Sequence, residues 1–378
     1  MDIKDFKAGA YIPQFQYKSF LPEKINKEWI VSEPQINKLL EEANLKLGEL
    51  NAFSVIVPDV DLFIRMHIVK EATTSSRIEG TQTQIEDAVL KEKDISPEKR
   101  DDWREVQNYI DAMNDAIGQL SNLPVSSRLI MQAHKILLKS VRGKDKLPGE
   151  YRTSQNWIGG ATIKDAVFIP PHYSDMSELL SDLENFLNNH SINVPHLVKI
   201  AIAHYQFETI HPFLDGNGRV GRLLITLYLV ANNLLAKPIL YLSDFFEKNR
   251  QLYYDNLTIV RTKDDLTQWI KFFLSAVIET SQNGVITFQK ILKLKTEIED
   301  KKIVTLGRKL PLAKNVINFL YKYPIVTLNY LVDEFKISKQ TANTMINDLV
   351  KLNILVEITG QKRNRLFVFQ DYINLFKK

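Results

Sequence analysis

Apolar residues in "VPHLVKIAIAHYQFETI" recur at helical spacing, with Leu197, Ile200, Ala201, His204 and Phe207 near one face. After a short polar interruption comes "GRLLITLYLVANNLL", apolar nearly all round, which predicts a central helix buried on every side. Helical patterning also marks "INKLLEEANLKLGEL", the Lys/Glu-rich "TFQKILKLKTEIEDKK", and three successive segments between "PLAKNVINFLYK" and "KLNIL". Strand signals are fewer. "YIPQFQYKSFLPEK" is punctuated by proline and reads as extended, while "GEYRTSQNWIGGATIKDAVFIPP" has the Gly pair and β-prone flanks of a hairpin. "VEITGQKRNRLFVF" has two β-prone stretches around a Gly-led basic turn. No run approaches the roughly 20 apolar residues that span a bilayer, so no membrane partner is expected.

At 378 residues the chain is too long for one ordinary domain. The pattern divides it into an amino-terminal helical region (1–120), a second section carrying the two apolar helices (121–280), a helical linker (281–304) and a carboxy-terminal unit (305–378). Charge follows the last boundary: from Thr305 to Lys378 there are 12 Lys and Arg against 5 Asp and Glu, while the whole chain carries only +4. A basic unit on a slightly acidic body suggests a module with its own partner. The absence of cysteine excludes disulfides, thiolate nucleophiles and cysteine-ligated zinc. The amino terminus lacks the apolar stretch of a secretory signal, and a cytoplasmic protein is the simplest expectation.

The interruption between the two apolar helices reads "HPFLDGNGRVGR", His211 to Arg222. A glycine-rich loop feeding a helix amino terminus directs several backbone N–H groups at one point and makes an anion site, most often for phosphate. Gly216 and Gly218 permit close backbone approach, and Arg219 and Arg222 add bidentate donors. Asp215 would repel a bare phosphate, which argues for Mg²⁺ between carboxylate and phosphate oxygens. A neutral His211 at the loop entrance suits proton abstraction from an attacking hydroxyl. These parts together describe phosphoryl or nucleotidyl transfer.

The string matches H-x-F-x-[D/E]-G-N-G-R-x-x-R at every defined position and so resembles the signature of the Fic family. The resemblance implies a mainly α fold: a Fic-type helical core with a β-hairpin flap, followed by a carboxy-terminal winged helix-turn-helix domain. It implies a protein adenylyltransferase that moves AMP from ATP to a Ser, Thr or Tyr hydroxyl of a target protein, with the chain itself as one candidate target. Position by position, His211 resembles the general base, Phe213 the anchor of the loop and Asp215 the Mg²⁺ ligand. Gly216, Asn217 and Gly218 resemble the anion hole, with Asn217 near the α-phosphate. Arg219, Val220, Gly221 and Arg222 continue the ATP-binding turn, its arginines holding the β- and γ-phosphates. The hairpin resembles the family's flap, with its tip from Asn156 to Gly159, and Ile158 in particular, over the nucleotide. Tyr254 in "FFEKNRQLYYDNL" resembles a residue stacking on adenine. His134, His196 and His204 have no metal-ligand spacing and read as core or surface residues. The loop keeps Gly218 and Arg222, which the phosphorylating relative lacks, and this favours AMP as the transferred group.

A second resemblance lies upstream. "SSRIEG" matches the family's inhibitory motif [S/T]-x-x-x-E-[G/N] at Ser75, Glu79 and Gly80. It implies a buried Glu79 paired with Arg222 in the place of the γ-phosphate, so that ATP cannot settle in line. Two alternatives stay open: Glu79 also assisting water in removing AMP, and a DNA-binding regulator whose core only senses nucleotide. In the carboxy-terminal unit, Lys339, Lys362, Arg363 and Arg365 are candidates to meet DNA phosphates. Such modules also bind proteins, and a second copy of this chain is a further candidate partner.

Overall fold

The computed structural model describes residues 1–57, 59–361 and 363–377. The chain opens with an antiparallel hairpin, β1 (Gly9–Pro13) and β2 (Lys18–Pro22), where the proline-punctuated stretch predicts extended backbone. Helices α1 (Pro34–Ile56), α2 (Asp61–Ile78), α3 (Ile85–Ala88), α4 (Arg100–Gln119) and α5 (Ser127–Leu137) follow. Then come α6 (Met176–Asn188), α7 (His196–Ile210), α8 (Asn217–Ala231), α9 (Ser243–Lys248), α10 (Arg250–Lys263) and α11 (Leu266–Glu297). The architecture is mainly α, as the periodicity predicts.

Helices α7 and α8 form the centre. Residues 197–210 of α7 are buried on all sides, and α8 is buried from Arg219 to Leu229. Two hydrogen-bonded side chains tie the pair to its surroundings: Trp269 Nε1 on α11 donates to the Ala201 carbonyl at 2.8 Å, and His204 bridges the Gly221 carbonyl and the Tyr253 hydroxyl at 2.9 Å each. Among the described residues, no helix is long and apolar enough to cross a membrane.

The hairpin expected between Gly149 and Pro171 is thinner than its β-prone flanks suggest. A single antiparallel bridge joins Ile158 to Phe168. Between them the chain turns through Gly159 and Gly160 at positive φ and winds into a short 3-10 turn closed by a Thr162–Asp165 capping box. β2 lies alongside, with Phe20 N–H donating to the Ile169 carbonyl at 2.9 Å.

The segment expected as a linker is continuous with the core, because α11 runs unbroken to Glu297 along α1. A π-turn and a 3-10 turn with Gly307 at φ 55° then lead into α12 (Leu310–Lys322). The carboxy-terminal unit continues with β3 (Ile325–Val326), α13 (Leu328–Phe335), α14 (Lys339–Lys351), β4 (Val356–Glu357), β5 (Phe367–Val368) and α15 (Gln370–Asn374). Its sheet is antiparallel in the order β3-β5-β4. The unit packs against α2: Tyr321 meets Phe63 edge-on at 5.1 Å, and Phe376 meets His67 edge-on at 5.1 Å. Lys339 and Arg363 are exposed and Arg365 is half-buried, whereas Lys362 lies outside the described residues.

Candidate functional site

Two left-handed residues shape the loop between α7 and α8. His211 ends α7 at φ 49° and Gly216 precedes α8 at φ 78°. At Gly216 a side chain would be strained in that conformation. The first N–H groups of α8 have no partners within their own helix, so the turn over Asn217, Gly218 and Arg219 presents donors to the cleft. Val220 and Gly221 are buried in the same turn.

The loop is held from beneath by side chains outside it. Arg152 is buried, and its guanidinium donates to the carbonyls of His211 (3.0 Å), Ser154 (3.2 Å), Pro171 (2.7 Å) and Ile210 (3.3 Å). Asn156 at the flap tip donates to the His211 and Phe213 carbonyls at 3.2 and 3.0 Å. His134, fully buried, stacks on Phe213 at 3.7 Å; its Nε2 lies 3.0 Å from the Asp215 carbonyl, and its Nδ1 accepts from Gly149 N–H at 2.9 Å. The core reading of that histidine holds, with support of the loop added. Phe213 is fully buried, as an anchor should be.

Asn217 pins the loop. Its side chain turns into the loop, accepting from Phe213 N–H and donating to the Phe213 carbonyl, both at 2.8 Å. The side chain thereby helps to fix the turn.

His211 is neutral at physiological pH. Burial pushes its imidazole down to about 4, against an opposite pull from the Glu208 carbonyl. Glu208 itself, buried one turn earlier, is pushed up to about 7 by burial. It presses on α8 where Gly221 leaves room: a Cβ there would lie 2.2 Å from Glu208 Oε1.

Both arginines of the motif are buried and already engaged. Arg219 donates to Glu105 of α4 at 3.3 Å and lies 3.5 Å from Asp215. Glu105, 1% exposed, also accepts from Thr81, just past the end of α2. Arg222 donates to Ser75 Oγ (2.8 Å), the Ser75 carbonyl (2.9 Å) and Glu79 Oε1 (2.6 Å). Burial alone would depress both charges, but the pairing wins: Glu79 sits below the ordinary carboxylate range and Arg222 above its own. Glu79 is not buried as expected; its side chain is 32% exposed at the mouth of the cleft, because α2 ends at Ile78 and Gly80 (φ 104°) turns the chain away. Gly218 admits the carboxylate, since a Cβ there would stand 2.3 Å from Glu79 Oε1.

Among the described residues no cluster of three metal-ligating side chains forms. Asp215 is partly exposed, with Oδ1 accepting from Gly216 N–H at 2.6 Å and Oδ2 directed at the bare face of Gly143. One accessible carboxylate fits a Mg²⁺ whose remaining ligands are water and substrate phosphate oxygens. Tyr254 is 39% exposed beside Tyr253, with ring centroids 5.2 Å apart, and Ile158 is half-buried in its bridge.

Arg152, Glu105 and His134 are the residues motif spacing missed. Glu105 left a signal: with Tyr109, Ala112 and Ala116 it falls on the buried stripe of α4, where a charge needs a partner. Arg152 left none beyond preceding a run, 153–163, that carries no charge.

The chain matches the family models described as Fic/DOC family N-terminal over residues 37–118 and Fic/DOC family over 124–229. It is 32% identical over 153 residues to a protein adenylyltransferase Fic of Aedes aegypti, covering 40% of this chain and 27% of that one. To the protein of the same name in Culex quinquefasciatus it is 33% identical over 133 residues, covering 35% and 24%. The matched region thus spans about a quarter of those relatives' length. In fold it is similar to a Fic family protein of Desulfovibrio desulfuricans (TM-score 0.57, 19% identity, 91% of this chain and 98% of that one). A Fic domain containing signaling protein of Bacteroides thetaiotaomicron superposes with a TM-score of 0.52 at 17% identity, over 68% and 97%.

Proposed function

From the premise that this chain belongs to the Fic/DOC family, we infer that it transfers AMP from ATP to a Ser, Thr or Tyr hydroxyl of a protein and is restrained by Glu79. The observation that carries this reading is the placement of Glu79 against Arg222, within a glycine-floored turn that opens beside a neutral histidine.

In this reading the unpaired N–H groups of α8 and the guanidinium groups of Arg219 and Arg222 hold the triphosphate. His211 takes the proton of the target hydroxyl as its oxygen attacks the α-phosphorus, and the bond to pyrophosphate breaks on the opposite side. Asp215 would hold Mg²⁺, which supplies neutralisation of phosphate charge when bound. Glu79 and the γ-phosphate compete for one guanidinium, so with Glu79 in place the nucleotide cannot reach an in-line pose. Tyr254 and Ile158 border the adenine end. The test is intact-mass measurement after incubation with MgATP: Glu79→Gly protein should gain adenylyl groups on itself or on a lysate protein, and His211→Ala should abolish the gain. Equal labelling of wild type and Glu79→Gly would overturn the restraint, and no labelling by either would overturn the transfer.

For the carboxy-terminal unit, the exposed start of α14 at Lys339, with Arg363 in the turn between β4 and β5, favours DNA phosphates as a second partner. Binding to duplex DNA should weaken steeply with salt, and a Lys339→Glu/Arg363→Glu variant should lose it.

A further inference from the structure

One buried carboxylate serves two guanidinium groups at the edge of the cleft. Glu105 of α4 accepts on Oε2 from Arg219 Nη1 at 3.3 Å, from Arg142 Nη2 at 3.5 Å and from Thr81 Oγ1 at 3.1 Å. Its Oε1 lies 3.3 Å from Arg142 Nε. Three donors on one oxygen exceed its two lone pairs. Each arginine contact is longer than the roughly 2.8 Å of a well-made charge-assisted bond, whereas Arg222 holds Glu79 at 2.6 Å.

The two arginines differ in freedom. The Arg219 side chain is 4% exposed within α8, and that of Arg142, in the turn after α5, is 63% exposed. The turn abuts Asp215, because a Cβ on Gly143 would stand 2.6 Å from Asp215 Oδ2. Arg142 and Arg219 reach the same oxygen, so their nearer nitrogens are no farther apart than those two contacts laid end to end. A diphosphate unit, with non-bridging oxygens on two phosphorus atoms, can meet both.

Charge points the same way. Asp215, the other carboxylate near Arg219 at 3.5 Å, is the one suited to Mg²⁺. With Asp215 so committed, Glu105 faces two cations, and a phosphate oxygen between them makes up the deficit. Departure of Arg142 strands no buried charge, since Glu105 keeps Arg219 and Thr81.

We propose that Arg142 is a third phosphate-binding arginine of the cleft, which leaves Glu105 and donates to the β- and γ-phosphates of the nucleotide held by Arg219. The role rests on the cleft being a nucleotide site and extends that reading to a residue outside the motif. It does not depend on AMP transfer.

The experiment uses the full chain carrying Glu79→Gly and His211→Ala, which opens the site and prevents turnover. Titration calorimetry with MgATP, and with AMP and Mg²⁺ separately, compares this parent with its Arg142→Ala and Arg142→Lys derivatives. Arg142→Ala should weaken ATP binding by about tenfold or more and leave AMP, which lacks both outer phosphates, unchanged. Arg142→Lys should recover part of the loss, as a point charge replaces a planar fork. Undiminished ATP affinity in Arg142→Ala overturns the proposal. So does an equal loss for AMP, which would mean that the turn only shapes the cleft. A parent that binds no ATP overturns the nucleotide reading and this role with it. ATP binding by the parent, with no AMP transfer by the Glu79→Gly protein, overturns the transfer alone and leaves Arg142 its role.

Discussion

Glu79 and Arg222 meet at 2.6 Å across 143 residues of sequence, and the side chain that would separate them is missing because residue 218 is glycine. The guanidinium is deep and the carboxylate is at the rim. If Glu79 restrains the enzyme as proposed, the restraint is released by moving an accessible group while the guanidinium stays fixed.

Replacement of Glu79 by glutamine should give an intermediate enzyme. The amide keeps a hydrogen bond to Arg222 but loses charge assistance, a difference of about 1 to 2 kcal/mol. Titration of labelled ATP should show an apparent affinity about tenfold better than wild type, with Glu79→Gly better still. A glutamine variant indistinguishable from wild type would mean that shape, not charge, blocks the nucleotide.

Arg152 closes the carbonyl ends of α7 and the flap at once. Arg152→Ala should destabilise the chain by about 3 kcal/mol or more, because several buried carbonyls lose their donor together. Arg152→Lys should restore part of the stability but little of the activity in a Glu79→Gly background, since an ammonium cannot reproduce the planar fork. Urea unfolding and AMP incorporation measure the two effects.

Packing makes a prediction at Gly221. An added methyl would meet Glu208 Oε1 at 2.2 Å and Phe207 at 3.1 Å. Gly221→Ala should cost about 1 to 3 kcal/mol, read as a lower urea midpoint with an unchanged slope.

Stability should peak near pH 6.5 to 7. Burial depresses His67 and His204 to about 3 and His134 and His211 to about 4. Below about pH 6.5 the unfolded chain takes up protons that these four do not, and stability falls with pH. Burial raises Glu71 and Glu208 to about 7, which works the other way: their contribution is present at low pH and is lost as pH rises through 7. Four against two leaves a net loss of roughly 3 kcal/mol per pH unit between about 6 and 5. Thermal melts across pH 5 to 8 check the position of the maximum. In Glu79→Gly, AMP transfer should keep its base form down to about pH 5, below the range of an exposed histidine.

The central helices, the glycine-rich turn between them and the Glu79–Arg222 pair are legible in the sequence because each rests on local spacing or on a motif with defined positions. The supports of the loop were not legible. Arg152, Glu105 and His134 act on carbonyls or charges 59, 114 and 81 residues away, and nothing in their neighbours announces those partners. The motif places Asn217 in the turn but says nothing of what its side chain bonds; a loop with two left-handed residues needs its own peptide pinned, and the Asn217 amide pins it at Phe213. The thin flap shows the limit of β-propensity where paired glycines and a capping box favour a coil.

The docking of Tyr321 and Phe376 on α2 makes the last residues of the chain a back wall for the helix that ends in Glu79. Excising the carboxy-terminal unit would uncover Phe63 and His67 and loosen that helix. A truncated protein should therefore gain unregulated turnover and aggregate more readily, whatever the excised unit binds.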